Sequence, residues 1–334
     1  AINNDPKDLP TAALIQDHGP YSRTLLAALE NTGYFAIETE VRSEAEARHQ
    51  LQSGAANFVV TIPQDFERDL MRGDRPQLLI QADATDPAAT SNALAAVQRL
   101  PELGLHQELR GALAPLNPGP PAFDLVIHRL YNPEGITAYN IVPGLIGVVL
   151  TMSTILMTSL ALTRETERGT MENLLAMPLR PIEVMLGKIL PYIAIGCVQV
   201  VVILAAARIL FDVPIQGSIA LLFAMLLVFI AANVCLGYTF STLAKTQMQA
   251  MQMTFFFFLP SILLSGFMFP FRGMPGWAQM IGEILPLTHF QRIARGILLK
   301  GSGFAETAPQ LLPICAFLAV VGTIALLRYR RTLD

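Results

Sequence analysis

Five stretches of this chain contain no Asp, Glu, Lys or Arg: residues 135–163, 189–207, 213–244, 246–271 and 307–327. The shortest of them holds 19 residues and the longest 32. An α-helix rises 1.5 Å per residue, so about 20 apolar residues cross the roughly 30 Å hydrocarbon layer of a bilayer. Five such runs in succession exclude a soluble enzyme, a nucleic-acid-binding protein and a disordered chain. They predict a polytopic α-helical membrane domain. Charge supports the same division: 28 of the 49 charged side chains fall before residue 138, leaving 21 for the remaining 197 residues. Overall, charged residues make up 15% of the sequence, against about 25% in an average globular protein.

The predicted spans are residues 138–162, 189–210, 218–242, 247–269 and 309–328. Lys and Arg beside short loops set orientation. Arg164, Arg168, Arg180 and Lys188 follow the first span, Lys245 follows the third, and Arg328, Arg330 and Arg331 close the chain. The opposite side has Arg208 and, in a longer segment, Arg272, Arg292, Arg295 and Lys300. This bias puts residues 164–188 and the C-terminus in the cytoplasm and, by alternation, residues 1–137 outside. A hydrophilic domain of that size needs a hydrophobic signal to cross a membrane, and the sequence opens on Ala1-Ile2-Asn3-Asn4-Asp5. The expectation is therefore a further span before residue 1, six in all, with both ends in the cytoplasm.

Residues 1–137 carry ten basic and eighteen acidic side chains, a balance that argues against nucleic acid or anionic lipid as a partner. Apolar runs at 12–15, 35–41, 58–62 and 78–80 alternate with helical patterns near 20–32, 43–53, 64–72 and 88–110. That alternation predicts a compact α/β domain, with Gly33, Gly54 and Gly73 as helix stops and Ser43 as an N-cap. The Pro-rich segment 114–121 reads as a stiff exit toward the membrane. Asp17-His18-Gly19, although an imaginable acid/base pair, reads as turn chemistry at a strand exit. The five histidines have no ligand spacing. Cys197, Cys235 and Cys315 all lie in the uncharged stretches, as small hydrophobes do, so no catalytic or metal site is expected.

The segment after the first span concentrates charge of both signs around Glu167-Arg168-Gly169-Thr170-Met171-Glu172. Gly169 breaks the preceding helix, Thr170 caps a new one, Glu172 suits its positive N-terminus, and Pro178 ends it. The result is a short helix over residues 170–178. Met171, Leu174 and Leu175 share one face at i, i+3 and i+4. An interfacial helix resting on headgroups is the plainer reading. Glu165, Glu167, Glu172 and Glu183 would be repelled by an anionic leaflet, which favours docking into another protein.

The predicted span over 247–269, fifth of the six expected, begins with Gln247, Gln249, Gln252 and Thr254 and continues through Phe255, Phe256, Phe257, Phe258, Leu259 and Pro260. Pro260 removes a backbone donor, while Ser261, Ser265 and Gly266 let another helix approach. Four consecutive phenylalanines point all round a helix, so at most two of them line any pathway. As a group they suit an apolar slot, and Phe255, Phe256, Phe258, Pro260, Ser265 and Gly266 are the expected translocation path and gate. Residues 273–300 have apolar side chains at helical intervals and predict re-entrant external helices. Trp277, the single tryptophan, belongs at the membrane interface. Glu283 reads as a carboxylate facing outer water rather than a proton-coupling group. Arg208 and Asp212 read as a snorkelling i,i+4 pair, and Gln199 and Asn233, lying mid-span, as bridges between helices.

Two runs carry a family resemblance. RETERGTMENLLAMPLRPIEVMLGKILPY, residues 164–192, resembles the cytoplasmic coupling segment of type-2 ABC transporter permeases. FFFFLPSILLSGFMFPFRGMPGWAQMIGEILPLTHF, residues 255–290, is similar to the fifth span and re-entrant turn of the same family. The resemblance implies an exporter subunit with six spans and a large external domain between the first two. It implies that residues 171–177 insert into a cleft on a separate ATP-binding subunit, two copies of which act on two permease chains, identical or homologous. ATP and Mg would then sit on that partner, and no cofactor on this chain. In agreement, the sequence has no GxxxxGK[ST] loop, since Gly187-Lys188 is followed by Ile189. The expected role is drug efflux of hydrophobic or amphipathic molecules across a bacterial inner membrane, with a periplasmic adaptor as a further partner. The alternative is a non-transporting sensor or mechanotransmitter whose external domain binds a ligand or partner.

Overall fold

The computed structural model describes residues 5–103, 121–168 and 181–328. The chain forms two compact units, Ala1–Thr137 with Arg272–Met274, and Ala138–Phe271 with Pro275–Asp334. The first unit is built on β1 (Leu9–Ile15), β2 (Phe35–Val41), β3 (Phe58–Ile62), β4 (Gln77–Asp83) and β5 (Asp124–Leu130), in the order β2-β1-β3-β4-β5. β1 pairs in parallel with both β2 and β3, β3 pairs antiparallel with β4, and β4 pairs in parallel with β5. Side chains alternate across the sheet, as the pleat requires. Phe58, Val60 and Ile62 join Leu9, Phe35, Leu78 and Ile80 in the larger core, while Val59 joins Ala12, Leu14 and Val41 on the other face.

Helices cover both faces. α1 (Pro20–Asn31), α3 (Phe66–Arg72) and α4 (Pro87–Val97) bury Leu25, Leu29, Phe66, Leu70 and Leu94 in the larger core. α2 (Glu44–Ser53) buries Ala47 and Leu51 in the smaller one. α5 (Leu100–Leu103) is a single turn. Ser43 caps α2 by accepting the Glu46 amide at 3.2 Å, and the Glu46 carboxylate reaches back to the Arg42 amide at 2.9 Å. Gly54 and Gly73 end α2 and α3 with φ of 74° and 77°, a left-handed conformation that glycine adopts without strain. The pattern expected near 88–110 appears as α4 and α5, and its remainder lies outside the described residues. β5 was not expected: three of its seven positions, Asp124, His128 and Arg129, are polar or charged, which leaves only Leu125, Val126 and Ile127 as a continuous apolar run.

The second unit is helical: α6 (Thr137–Glu167), α7 (Pro181–Phe211), α8 (Ile219–Leu243), α9 (Gln247–Leu264), α10 (Gly276–Gly282), α11 (Pro286–Arg295) and α12 (Phe304–Leu327). A 3₁₀ turn, Phe271–Gly273, precedes α10, and a π-helical turn, Gly296–Lys300, extends α11. Within Thr137–Glu165, Leu186–Phe211, Ile219–Leu243 and Phe304–Leu327 four helices are long and apolar enough to cross a membrane. α9, expected as a span over 247–269, is 18 residues long and is not among these four. Its three glutamines dilute the apolar run, and Gly266 at φ 83° ends it early.

α8 is the hub of this unit. Leu222, Leu226, Phe229, Ile230, Ala232 and Val234 point in different directions from it and are all buried, as befits a helix apolar all round. Phe229 stacks on Phe290 of α11, with ring centroids 4.3 Å apart. At Gly237 the α6 backbone comes so close that a Cβ would lie 2.7 Å from the Ile155 carbonyl oxygen. Small residues permit this kind of helix contact. Gln199 of α7 bridges to α6, where Ser153 Oγ donates to its Oε1 at 2.9 Å. Asn233 differs from expectation: its amide donates to Phe229 O at 3.1 Å, one turn back on its own helix, and no bridge forms through that bond.

Candidate functional site

The expected coupling residues begin at the end of α6. Glu167 is the last residue of that helix, and the Arg168 amide extends it by donating to Arg164 O at 3.1 Å. Gly169, Thr170, Met171, Glu172, Leu174, Leu175 and Pro178, and with them the predicted 170–178 helix, lie outside the described residues, as does most of the Pro-rich segment 114–121.

Glu167 acts on α9. Its Oε1 accepts the Gln247 amide at 2.7 Å and its Oε2 accepts the Gln247 side-chain amide at 2.5 Å. Gln247 is the first residue of α9, so the carboxylate sits where unpaired N–H groups and the helix dipole favour negative charge. Those bonds, the side-chain one first, hold the Glu167 carboxyl below its ordinary pKa. Thr246 completes the cap by accepting the Gln249 amide at 3.2 Å, and Gln249 Oε1 reaches back to the Lys245 amide at 2.8 Å. Two residues earlier on α6, Glu165 pairs with Lys188 of α7. The end of α6 is thereby tied to the second turn of α7 and to the start of α9.

Along α9 the four phenylalanines divide. Phe258 is buried in the helical core and Phe257 packs against it, with its ring 6.2 Å from that of Phe240 and 6.3 Å from that of Phe317. Phe255 and Phe256 are exposed, Phe256 at 80%. The six residues expected to form the path are therefore not gathered on one face. Pro260 lies inside the helix, which continues past it to Leu264. Ser159 of α6 and Thr254 of α9 share a hydrogen bond of 3.2 Å between buried hydroxyls. At the other end of α9, Gln291 donates to Ser265 Oγ at 3.1 Å and Arg295 to Gly266 O at 3.4 Å, so α11 grips the helix where it terminates.

Glu283 follows α10 directly, with its side chain 44% exposed. Arg292 of α11 clamps both its oxygens, at 2.6 and 3.1 Å, and lies over the Phe271 ring at 4.7 Å. The buried His289 ring spans the Glu283 carbonyl oxygen and Gln310 Oε1 of α12, each at 2.8 Å. This polar cluster locks α10, α11 and α12 together, with Glu283 as its partnered, partly exposed carboxylate. Trp277 is exposed on α10. Arg208 and Asp212 form the expected i,i+4 pair at 3.4 Å. Among the described residues no group of three or more His, Cys, Asp or Glu side chains could hold a metal ion.

These contacts join helices of which four are long and apolar enough to cross a membrane. Residues 1–327 match the model for "ABC-2 family transporter protein". The chain belongs to the ABC-2 transporter family. It is 29% identical over 316 residues to the "Probable multidrug ABC transporter permease YbhR" of Escherichia coli, covering 95% of this chain and 84% of that protein. It is 30% identical over 335 residues to the "Inner membrane transport permease YhhJ" of Escherichia coli, covering 97% and 86%. It is 27% identical over 338 residues to "ABC transporter G family member 20" of Dictyostelium discoideum, covering 98% of this chain and 45% of that protein. This member of the ABC-2 family is accordingly a multi-pass membrane permease, with a sheet-containing α/β unit preceding its helices.

The sequence pointed to the Glu167 region but not to its contact with Gln247, 80 residues away. The only local signal was Thr246 followed three positions later by Gln249, a helix-start pattern that says nothing of a distant carboxylate. The partners of His289 were equally hidden, because Gln310 belongs to the last helix.

Proposed function

We propose that this chain is the membrane-spanning subunit of an ATP-driven exporter that moves hydrophobic or amphipathic small molecules out of the cytoplasm or inner leaflet of a bacterial inner membrane. Energy comes from a separate ATP-binding subunit, in two copies carrying ATP and Mg, acting on two permease chains, identical or homologous. Residues 170–178 are the coupling helix that docks into that subunit, with Met171, Leu174 and Leu175 as its apolar face. Residues 1–137 lie in the periplasm, within reach of an adaptor, and the C-terminus is cytoplasmic. α9, although short, is the fifth crossing element, with Phe255 and Phe256 facing the pathway.

The observation that carries this reading is the double hydrogen bond from Gln247 to Glu167. It joins the start of the coupling segment to the Phe-rich helix, so displacement of residues 168–180 is passed to α9 through a short, charge-assisted contact. The names of the relatives, two of them multidrug or transport permeases, favour drug-like cargo.

The test is Leu174→Asp or Leu175→Asp in the complex with its co-expressed ATP-binding subunit. Loss of co-purification together with loss of efflux is expected. Survival of both overturns the coupling assignment. Lost association with unchanged drug accumulation points to a mechanotransmitter instead.

A further inference from the structure

The polar cluster at the end of α10 holds one titratable ring whose two bonds its neutral form cannot both make. His289, on α11, is 3% exposed, so bulk water cannot complete its hydrogen bonds. Nε2 meets the backbone carbonyl oxygen of Glu283 and Nδ1 meets Gln310 Oε1 of α12, each at 2.8 Å. A backbone carbonyl can only accept. So does the Gln310 atom, because Arg292 Nη1 donates to the same oxygen at 3.3 Å. A neutral imidazole has one N–H and one lone pair, and serves just one of these oxygens. Turning the Gln310 amide over would offer the bare nitrogen a donor, but would set that NH2 against the Arg292 guanidinium. The imidazolium, with an N–H on each side, satisfies every partner.

The charged groups around the ring are few. Glu283 Oε2 lies 3.6 Å from Nε2, while Arg292 clamps the same carboxylate, so the carboxylate stands between two cations when the ring is charged. α8 and α9, which pack against α11, carry no charged side chain. On α12, Glu306 turns to the Gly303 amide at 2.8 Å, and Arg295 of α11 turns to Gly266 O at 3.4 Å. Arg272 on the 3₁₀ turn and Lys300 on the π-helical turn complete the set on neighbouring elements. Hydrogen bonding favours the second proton and the surplus of cations opposes it, so the charge on the ring is exchangeable rather than fixed.

We propose that His289 is a proton-operated latch between the end of α10 and α12. With both protons in place the ring joins the Glu283 carbonyl to Gln310. When Nδ1 gives up its proton to water, its lone pair faces an acceptor at 2.8 Å and the contact must open. Gln310 is the partner that yields, because a side chain swings aside more readily than the backbone carbonyl opposite. The latch needs neither a coupled ATPase nor transport, so it stands or falls apart from the proposed exporter role.

The test is magic-angle-spinning NMR of the full chain in lipid bilayers, with isotope-labelled histidine nitrogens. The ring signals that vanish in His289→Gln belong to His289. At about pH 5.5 both of its nitrogens should carry protons and at about pH 8 Nε2 alone, since histidine changes charge across that interval. Amide exchange in Thr307–Leu312, corrected for the intrinsic effect of pH, should rise severalfold over the same interval in wild type. In His289→Gln and in Gln310→Leu it should not vary with pH. Gln310→Leu leaves the ring free to donate to the Glu283 carbonyl, and carries the test alone if His289→Gln unfolds. The same protonation state of His289 at both pH values, or exchange that varies with pH as much in the variants as in wild type, overturns the proposal.

Discussion

Gly237 tests whether α6 and α8 truly meet backbone to backbone. A Cβ there would stand 2.7 Å from the Ile155 carbonyl oxygen, 3.0 Å from Thr158 Cβ and 3.2 Å from Ile155 Cα. Backbone cannot swing aside as a flexible side chain can, so Gly237→Ala must push the helices apart or bend one of them. Forcing an extra methyl into a packed interior costs about 1–3 kcal/mol. The same substitution gains about 1 kcal/mol of helix propensity. Gly322 on α12 supplies the reference, because a Cβ there meets nothing within 4 Å. Gly322→Ala should therefore show the propensity gain alone, and the two variants should differ by about 1–3 kcal/mol, or roughly 5- to 150-fold in the unfolding equilibrium constant. The assay is reversible SDS unfolding in mixed micelles followed by circular dichroism, with Gly237→Ala unfolding at lower SDS than wild type and Gly322→Ala at higher. Equal stability of the two variants, or a Gly237→Ala protein more stable than wild type, would refute the close approach.

Ser43→Ala removes the α2 cap and should cost the first unit about 1 kcal/mol, read as a lower denaturant midpoint with an unchanged m-value. Burial, with the Asp83 charge adding to it, pushes the Tyr131 phenol up to about 12. The unfolded phenol ionises near 10, so stability is intact below that pH and is lost between about 10 and 12. Tyr131→Phe should abolish that loss in alkaline melts. Arg292→Gln opens the clamp on Glu283 and should cost no more than about 1 kcal/mol in overall stability, because both side chains are partly exposed. Its main effect should be faster amide exchange in Gly276–Gly282.

The membrane helices were legible because bilayer thickness acts on composition alone: any 20-residue run without charge announces itself whatever it packs against. The first unit was legible where local chemistry decides structure, as at Ser43, Gly54 and Gly73, whose roles depend on neighbours within four residues. β5 was missed because its apolar run is short and its charged positions fall on both faces, so that only pairing with β4, more than 40 residues earlier, defines it as a strand. The division of Phe255 and Phe256 from Phe257 and Phe258 follows from which neighbours α9 meets, and sequence supplies no such direction. Asn233 misled for a related reason. A buried amide must find an acceptor, but a carbonyl on its own helix serves as well as one across an interface.

The proposed exporter mechanism requires the 170–178 helix and the first unit to lie on opposite sides of the membrane. Single cysteines at Asn173→Cys and Glu30→Cys, with Cys197, Cys235 and Cys315 replaced by serine, can be labelled by an impermeant maleimide in right-side-out and inverted vesicles. Glu30→Cys should react only from outside and Asn173→Cys only from the cytoplasmic side. Reaction of both from the same side would leave the coupling helix out of reach of any cytoplasmic ATPase and contradict the mechanism.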